Sequence, residues 1–145
     1  MLRKFTRACF ASELRKCKRM LKRNPELVNA RDAPSLMTPL HVAVCCNNIS
    51  LCKLLLNHGA DVNALDGITN ANALHYAVCQ SDNEGVPLCE LLISHGVDVL
   101  ARATTNETPL HGALDNDEVD PDMIKVLLTQ LWKATTITTS TTASM

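Results

Sequence analysis

Aromatic side chains are scarce in this chain. Its 145 residues include two phenylalanines, one tyrosine and one tryptophan, so that 3% of the sequence is aromatic. Aliphatic residues, alanine and cysteine must therefore fill the core. Apolar runs are short as well, and none approaches the roughly 18 residues that a membrane-spanning helix needs. The apolar stretch 8–11 is also too short for the core of a signal peptide, so neither a membrane partner nor secretion is expected.

Cysteine, by contrast, occurs seven times. The count is odd, and the spacing does not resemble that of small disulfide-rich proteins, which indicates a reducing compartment. We therefore expect the protein to be cytoplasmic, nuclear or both. Its length is that of one domain.

A four-residue motif returns three times, at 38–41, 72–75 and 108–111. The copies read Thr-Pro-Leu-His, Asn-Ala-Leu-His and Thr-Pro-Leu-His, at intervals of 34 and 36 residues. The threonine or asparagine suits a helix N-cap, and the proline suits the first helical position. A fixed period in the thirties is typical of stacked supersecondary units, and such folds mostly bind other proteins.

A second block closes each unit, at 54–64 and again at 91–101. In both copies an apolar run ends in His-Gly, and Gly59 and Gly96 fall where a helix needs a left-handed C-cap. Together the two blocks resemble the ankyrin repeat, a β-turn followed by two antiparallel helices. The resemblance implies an all-α solenoid of stacked helix-turn-helix units with β-turn fingers.

The register of these blocks predicts two further repeats. Counting back places Asn24 where the others have glycine, in a divergent first repeat, and counting forward places Leu131 there in the fourth, which is therefore incomplete. We expect an ankyrin repeat domain over 1–132, with repeats of about 3–31, 32–65, 66–102 and 103–132, and a Thr/Ser-rich disordered tail over 133–145.

Ankyrin proteins bind partners through their turn tips and the exposed face of the first helix of each repeat. The resemblance implies a non-enzymatic protein–protein interaction module, an adaptor or an inhibitor, that binds one or more proteins and no cofactor. Leu36, Met37 and Ile68 are apolar where such tips are usually polar, which fits an interface anchor; alternatively, one-residue insertions fold them under the turn. The partner-binding positions carried onto this chain are Leu36, Met37, Val42, Cys45, Cys46, Ile68, Asn70, Tyr76, Cys79, Gln80, Thr105, Glu107 and Asp115.

Histidine and cysteine stand four residues apart in two repeats, as metal ligands on one helical face can. A zinc site is not expected, because four converging ligands are required and the fourth repeat has Asp115 in place of the cysteine. Cys45, Cys46 and Cys79 are expected to be partly exposed thiols in the binding surface, and a metal- or redox-responsive protein that uses them is one alternative. No motif supplies the activated Cys/His pair of an enzyme.

Charge is divided between the ends of the chain. Residues 1–31 carry ten Lys/Arg against two acids, and 32–145 carry four against thirteen. Because a solenoid keeps sequence order in space, the two ends should carry opposite fields. A nuclear regulatory protein that uses the basic segment 16–23 is a second alternative. Nucleic-acid binding is not expected, since no aromatic residues interleave this segment.

Thirteen residues follow Trp132, fewer than a SOCS box would need. A truncated form of a larger substrate-recruiting adaptor, of the SOCS-box ubiquitin ligase type, is therefore a third alternative. The chain is expected to be monomeric. Asn63 stands in an Ala-Asp-Val-Asn context that resembles ankyrin sites of asparaginyl hydroxylation, which mass spectrometry after co-expression with the hydroxylase would test.

Overall fold

The regular structure of the chain is helical. The computed structural model describes the backbone of residues 1–31, 35–80 and 85–143, and the side chains of these ranges up to residue 134. Eight α-helices lie there: α1 (Leu2–Phe10), α2 (Leu14–Arg23), α3 (Pro39–Cys45), α4 (Ile49–Asn57), α5 (Ala73–Val78), α6 (Gly85–Ser94), α7 (Pro109–Leu114) and α8 (Pro121–Ala143). A 3-10 helix, Pro25–Asn29, follows α2, and the described ranges contain no strand. The predicted all-α architecture is confirmed.

The helices form two layers. The inner layer consists of α1, α3, α5 and α7, and the outer layer of α2, α4, α6 and α8; neighbouring helices within each layer are in contact. Phe5, Leu40 and Leu74 hold one position in the first three inner helices and are fully buried in a continuous apolar core. No repeat buries its apolar face alone, so stacking supplies the core.

Each repeated motif caps an inner helix through a histidine ring. The backbone N–H of Thr38 donates to Nδ1 of His41 over 3.1 Å, and the corresponding donors of Asn72 and Thr108 lie 3.2 and 3.0 Å from Nδ1 of their own histidines. Because Nδ1 accepts, the proton of the neutral ring sits on Nε2. In His75 that nitrogen donates to the carbonyl oxygen of Glu107, 3.1 Å away in the following repeat.

Asparagine side chains tie the repeats together at their other end. Nδ2 of Asn29 donates to the Gly59 carbonyl over 3.1 Å, and its Oδ1 accepts from the Asp61 N–H over 2.7 Å. Asn63 repeats this arrangement one unit further along, with the Gly96 carbonyl at 3.3 Å and the Asp98 N–H at 2.7 Å. We call Asn29 and Asn63 the asparagine ladder. The third repeat has an exposed leucine, Leu100, in this position.

The last outer helix differs from α4 and α6 because it lacks a glycine stop. Gly59 and Gly96 carry φ of 88° and 83° at the ends of α4 and α6, a conformation that favours glycine. Leu131 holds this position in α8, whose backbone stays helical to Ala143. The helix thus passes the boundary at 132 that the sequence suggests. The disordered tail and the repeat boundaries stay predictions, and residues 144–145 lie outside the described part of the chain.

Replacing Asn63 with alanine tests the asparagine ladder. The variant loses two hydrogen bonds between repeats and should lower the free energy of unfolding by about 1–2 kcal/mol, measured by urea denaturation. Asn57→Ala is the matched control, at an exposed position of α4, and should change it by less than about 0.5 kcal/mol. Equal effects of the two substitutions would contradict a stabilising role for the ladder.

Candidate partner-binding surface

One row of side chains runs along the exposed ends of the inner helices. Phe10, Cys45, Cys79 and Asp115 hold the same position in the four successive repeats, and all four are exposed. We call these four residues the inner row. Phe10, with 58% of its surface exposed, is a member that the sequence interpretation missed. The repeat spacing could have identified it, because Phe10 lies 35 residues before Cys45, which is one repeat length.

The turn tips present two apolar side chains. Ile68 is 65% exposed and Leu36 is 42% exposed, whereas Met37 is half-buried. Leu36 lies over Gly67 of the next tip, where a Cβ atom would come within 2.6 Å of it. The two residues therefore differ. Leu36 partly covers the next tip, whereas Ile68 projects into solvent, as an interface anchor would.

The tips are also joined by backbone hydrogen bonds. The N–H of Gly67 donates to the Ser35 carbonyl over 3.1 Å, and that of Thr104 donates to the Thr69 carbonyl over 2.8 Å. Each tip is thus held by the preceding one. The side chains that the tips expose accordingly have fixed positions relative to one another.

Val42 does not belong to the exposed surface. It is 4% exposed and lies in the core, so its assignment to a partner-contacting face is wrong. The reason is visible at its counterpart in the fourth repeat, Gly112, where a Cβ atom would lie 3.4 Å from Cγ2 of Val78 in the preceding repeat. This position faces the neighbouring repeat and not a partner.

The remaining predicted positions are divided between exposed and half-buried sites. Asn70, Thr105 and Glu107 are exposed at the tips, and Thr105 donates to the Glu107 carboxylate over 3.2 Å. Cys46 and Gln80 are half-buried, and the Gln80 amide donates to the Val44 carbonyl over 3.3 Å. That amide is therefore engaged within the repeats.

A buried carboxylate organises the second tip. Asp66 is 3% exposed, and its Oδ1 accepts from the N–H groups of Ile68 and Thr69, 2.8 and 2.6 Å away. Its Oδ2 accepts from the Thr69 hydroxyl and from the Tyr76 hydroxyl, each 2.6 Å away. The ring of Tyr76 in turn packs edge-on against His41, with centroids 5.5 Å apart. We call Asp66, Thr69 and Tyr76 the tip network.

The tip network sets the ionisation of its members. Burial opposes the charge on Asp66, but the donors of Thr69, Tyr76 and Ile68 hold the pKa of that carboxyl well below its usual range. Burial, together with the hydrogen bond to Asp66, raises the pKa of Tyr76 to about 12. Burial lowers the pKa of His41. At neutral pH the cluster therefore holds one carboxylate, one phenol and one neutral imidazole.

The thiols of the binding surface are not activated. Cys45 and Cys79 are exposed and Cys46 is half-buried, and for each of them partial burial raises the pKa of the thiol. Such groups are protonated at neutral pH and are weak nucleophiles. In the described ranges, no group of three or more His, Cys, Asp or Glu side chains is placed to hold a metal ion.

Basic side chains cover the free end of the first repeat. Lys4, Lys16, Arg19 and Arg23 line a groove of about 300 Å³ together with Met20. This groove lies outside the inner row and the tips. Only one ion pair of the described residues falls within the first repeat: the Lys16 ammonium lies 2.9 Å from the carboxylate of Glu13.

Asn63, the predicted hydroxylation site, is exposed, and both polar atoms of its side chain are engaged in the asparagine ladder. Hydroxylation of Asn63 stays a prediction. Asn29, in the matching environment one repeat earlier, is the internal comparison for the same mass spectrum.

The geometry of paired helices, capped starts and linked tips has a counterpart in a known family. Residues 35–67 and 69–104 each match the ankyrin repeat, and this chain is an ankyrin repeat protein. Ankyrin repeats are protein–protein interaction modules and are typically non-enzymatic, so the chain carries such a module. Among the described residues, no helix is long and apolar enough to span a membrane.

One similar protein is an NAD-dependent deacetylase, sir2B, from Dictyostelium discoideum. It is 31% identical over 102 residues, which is 65% of this chain and 13% of that protein. The chain thus spans about an eighth of the length of this relative. We do not propose the activity in that name for this chain.

Substituting Tyr76 with phenylalanine tests the tip network. The variant removes one donor to Asp66 and should lower the free energy of unfolding at pH 7 by about 1–2 kcal/mol. Because the folded-state pKa of Asp66 is depressed, its contribution exists above the unfolded pKa of about 3.9 and is lost as pH falls below it. The difference between the variant and the native chain should therefore shrink in acid.

Urea denaturation at pH 7 and in steps below pH 5 measures this effect. Thr105→Val, which removes a hydroxyl from an exposed tip, is the control and should change the free energy of unfolding by less than about 0.5 kcal/mol. A loss for Tyr76→Phe that stays constant with pH would show that Tyr76 acts without Asp66.

Proposed function

We propose that this protein binds a segment of a partner protein across the inner row and the tips, and acts as an adaptor or as an inhibitor that covers the partner's surface. The observation that carries the proposal is the inner row itself. Its four members are exposed side by side in four stacked repeats, while the core beneath them is closed. Exposed apolar residues that form a contiguous surface are typical of interaction sites.

The partner segment should be apolar at one end and basic at the other. The inner row is apolar or weakly polar in the first three repeats, through Phe10, Cys45 and Cys79, and ends in the carboxylate of Asp115. The tips change in the same direction, from Ile68 to Glu107. Complementary charge at the fourth repeat would fix the direction in which the segment lies.

The second tip supports this proposal because its anchor is ordered in advance. Asp66 accepts from the backbone of Ile68, and Tyr76 holds the carboxylate in place. Ile68 is thus presented to solvent by a turn whose conformation is fixed. A residue that is held in its bound position loses less conformational entropy when a partner arrives.

The absence of disulfide bonds among the described cysteines is consistent with a binding role in a reducing compartment. All seven are free thiols, and Cys9, Cys17, Cys52 and Cys89 are buried. Free thiols support our proposal that the interaction takes place in the cytoplasm or the nucleus. The exposed thiols of Cys45 and Cys79 would serve as small apolar contacts for the partner.

Replacing Ile68 with serine should weaken partner binding by about tenfold or more, because it removes an exposed apolar anchor. Partners are captured on the native chain, identified by proteomics, and their dissociation constants are then measured for each variant. The fold should be unchanged, since Ile68 is not part of the core.

Leu128→Ser is the matched control, since Leu128 is an exposed apolar residue on the outer helix α8. It should leave the affinity within about twofold of the native value. Asp115→Lys should weaken binding of the same partner if its basic end lies over the fourth repeat. Partners that bind Ile68→Ser as tightly as the native chain would refute the proposed surface.

A further inference from the structure

The end face of the fourth repeat exposes residues whose counterparts are buried. Leu114 is 59% exposed, whereas Val44 and Val78, which hold the same position in the second and third repeats, are at most 1% exposed. The following repeat covers those valines. The fourth repeat therefore ends in a stacking face that is shaped like an internal one.

The contacts between the third and fourth repeats show which position of the following repeat packs against such a face in the inner layer. A Cβ atom on Gly112 would lie 3.4 Å from Cγ2 of Val78. The residue that holds the place of Gly112 in the first repeat is Arg7. If the first repeat of another copy stacked in the same register, Arg7 would lie against Leu114, next to the carboxylate of Asp115.

The outer layer gives a second, independent pairing. A Cβ atom on Gly85 would lie 2.7 Å from Cε of Met123, so these two positions meet between the third and fourth repeats. Their counterparts are Asp120 in the fourth repeat and Lys16 in the first. The same stacking would therefore place Lys16 against Asp120, whose Oδ1 accepts from the Asp122 N–H over 2.9 Å.

The first repeat has a matching end face. Lys16 is half-exposed at a position where Leu51, Leu88 and Met123 are buried. Arg7 and Lys16 line a groove of about 580 Å³ on this face. The face is thus concave and has a cationic excess, since Lys4, Arg7 and Lys16 line it together with one acid, Glu13, which pairs with Lys16 over 2.9 Å. The opposite face is apolar with carboxylates beside it.

We infer that this protein associates with itself head to tail, the first repeat of one copy stacking on the fourth repeat of the next in the register that joins successive repeats. Charge complementarity selects this occupant. Residues 1–31 carry ten cations against two acids, and 32–145 carry thirteen acids against four cations. Stacking two fourth repeats on each other would set Asp115 and Asp120 against like charges, and stacking two first repeats would do so with Lys16.

The contact is heterologous, because two different faces meet. Such contacts do not close into a two-fold dimer and extend into open chains unless the rotation closes a ring. This differs from the monomer that the sequence suggests.

The aliphatic stem of Arg7 would cover Leu114 while its guanidinium reaches the carboxylate of Asp115.

Two variants, each with one end face disabled, test whether the contact joins the first repeat of one copy to the fourth repeat of the next. Lys16→Glu disables the first-repeat face, and Leu114→Lys disables the fourth-repeat face. Each variant alone should raise the apparent dissociation constant of self-association by about tenfold or more, measured by analytical ultracentrifugation. Mixed in equal amounts, the two should form a 1:1 dimer that does not extend, since one intact pair of faces remains.

Lys18→Glu is the matched control. It makes the same change in charge on the same helix, at a position where Lys53, Glu90 and Lys125 are also exposed. It should associate like the native chain, and circular dichroism should show the same helix content for all variants. Raising the salt concentration from about 0.05 M to about 0.5 M should weaken association, because the paired charges are screened.

Three results would overturn the inference. The first is a native chain that stays monomeric up to about 1 mM. The second is a Lys16→Glu variant that associates as well as the native chain, which would indicate contact between two fourth repeats. The third is an association that strengthens with salt, which would indicate an apolar contact without the charge pairs.

Discussion

The structure depends on the stacking of each repeat on the next, and the imidazole ring of His75 shows how one side chain aligns the third repeat with the fourth. In the second repeated motif, Nδ1 of His75 accepts from the cap backbone of its own helix, and this fixes the proton on the other nitrogen, which then donates to Glu107 of the following repeat. A single side chain thus sets both the start of an inner helix and the position of the next tip. Because stacking creates the core, the layered arrangement depends on this alignment.

The binding surface inherits its rigidity from the same arrangement. The tips are linked by backbone hydrogen bonds, and Asp66 fixes the turn that presents Ile68. Burial of a carboxylate is costly unless donors surround it, and here they come from within the tip and from Tyr76 in the next inner helix. An anionic group within the fold therefore shapes an apolar contact on its surface.

The sequence predicted the helix pairs because caps and stops act locally. Gly59 and Gly96 signal helix ends through their own backbone freedom. The tip network could not be predicted in this way, because it joins Asp66 to Tyr76 ten residues further along, and no cap or stop signals that contact. The assignment of Val42 to the exposed surface was wrong for a related reason. The neighbouring repeat buries this position, and the pattern within one repeat carries no information about that contact. Phe10 was hidden by a first repeat without the motif.

The asparagine ladder stops at Leu100, and this break determines from which end the solenoid should unfold locally. The third and fourth repeats are joined by helix contacts in both layers, by the backbone bond from Thr104 to Thr69 and by the bond from His75. They lack the polar bridge that Asn63 provides one unit earlier. In a linear array, the stability of each repeat depends in part on its interfaces with its neighbours. Amide protons should therefore exchange with solvent first in the fourth repeat, so that fraying proceeds from the C-terminal side toward the centre.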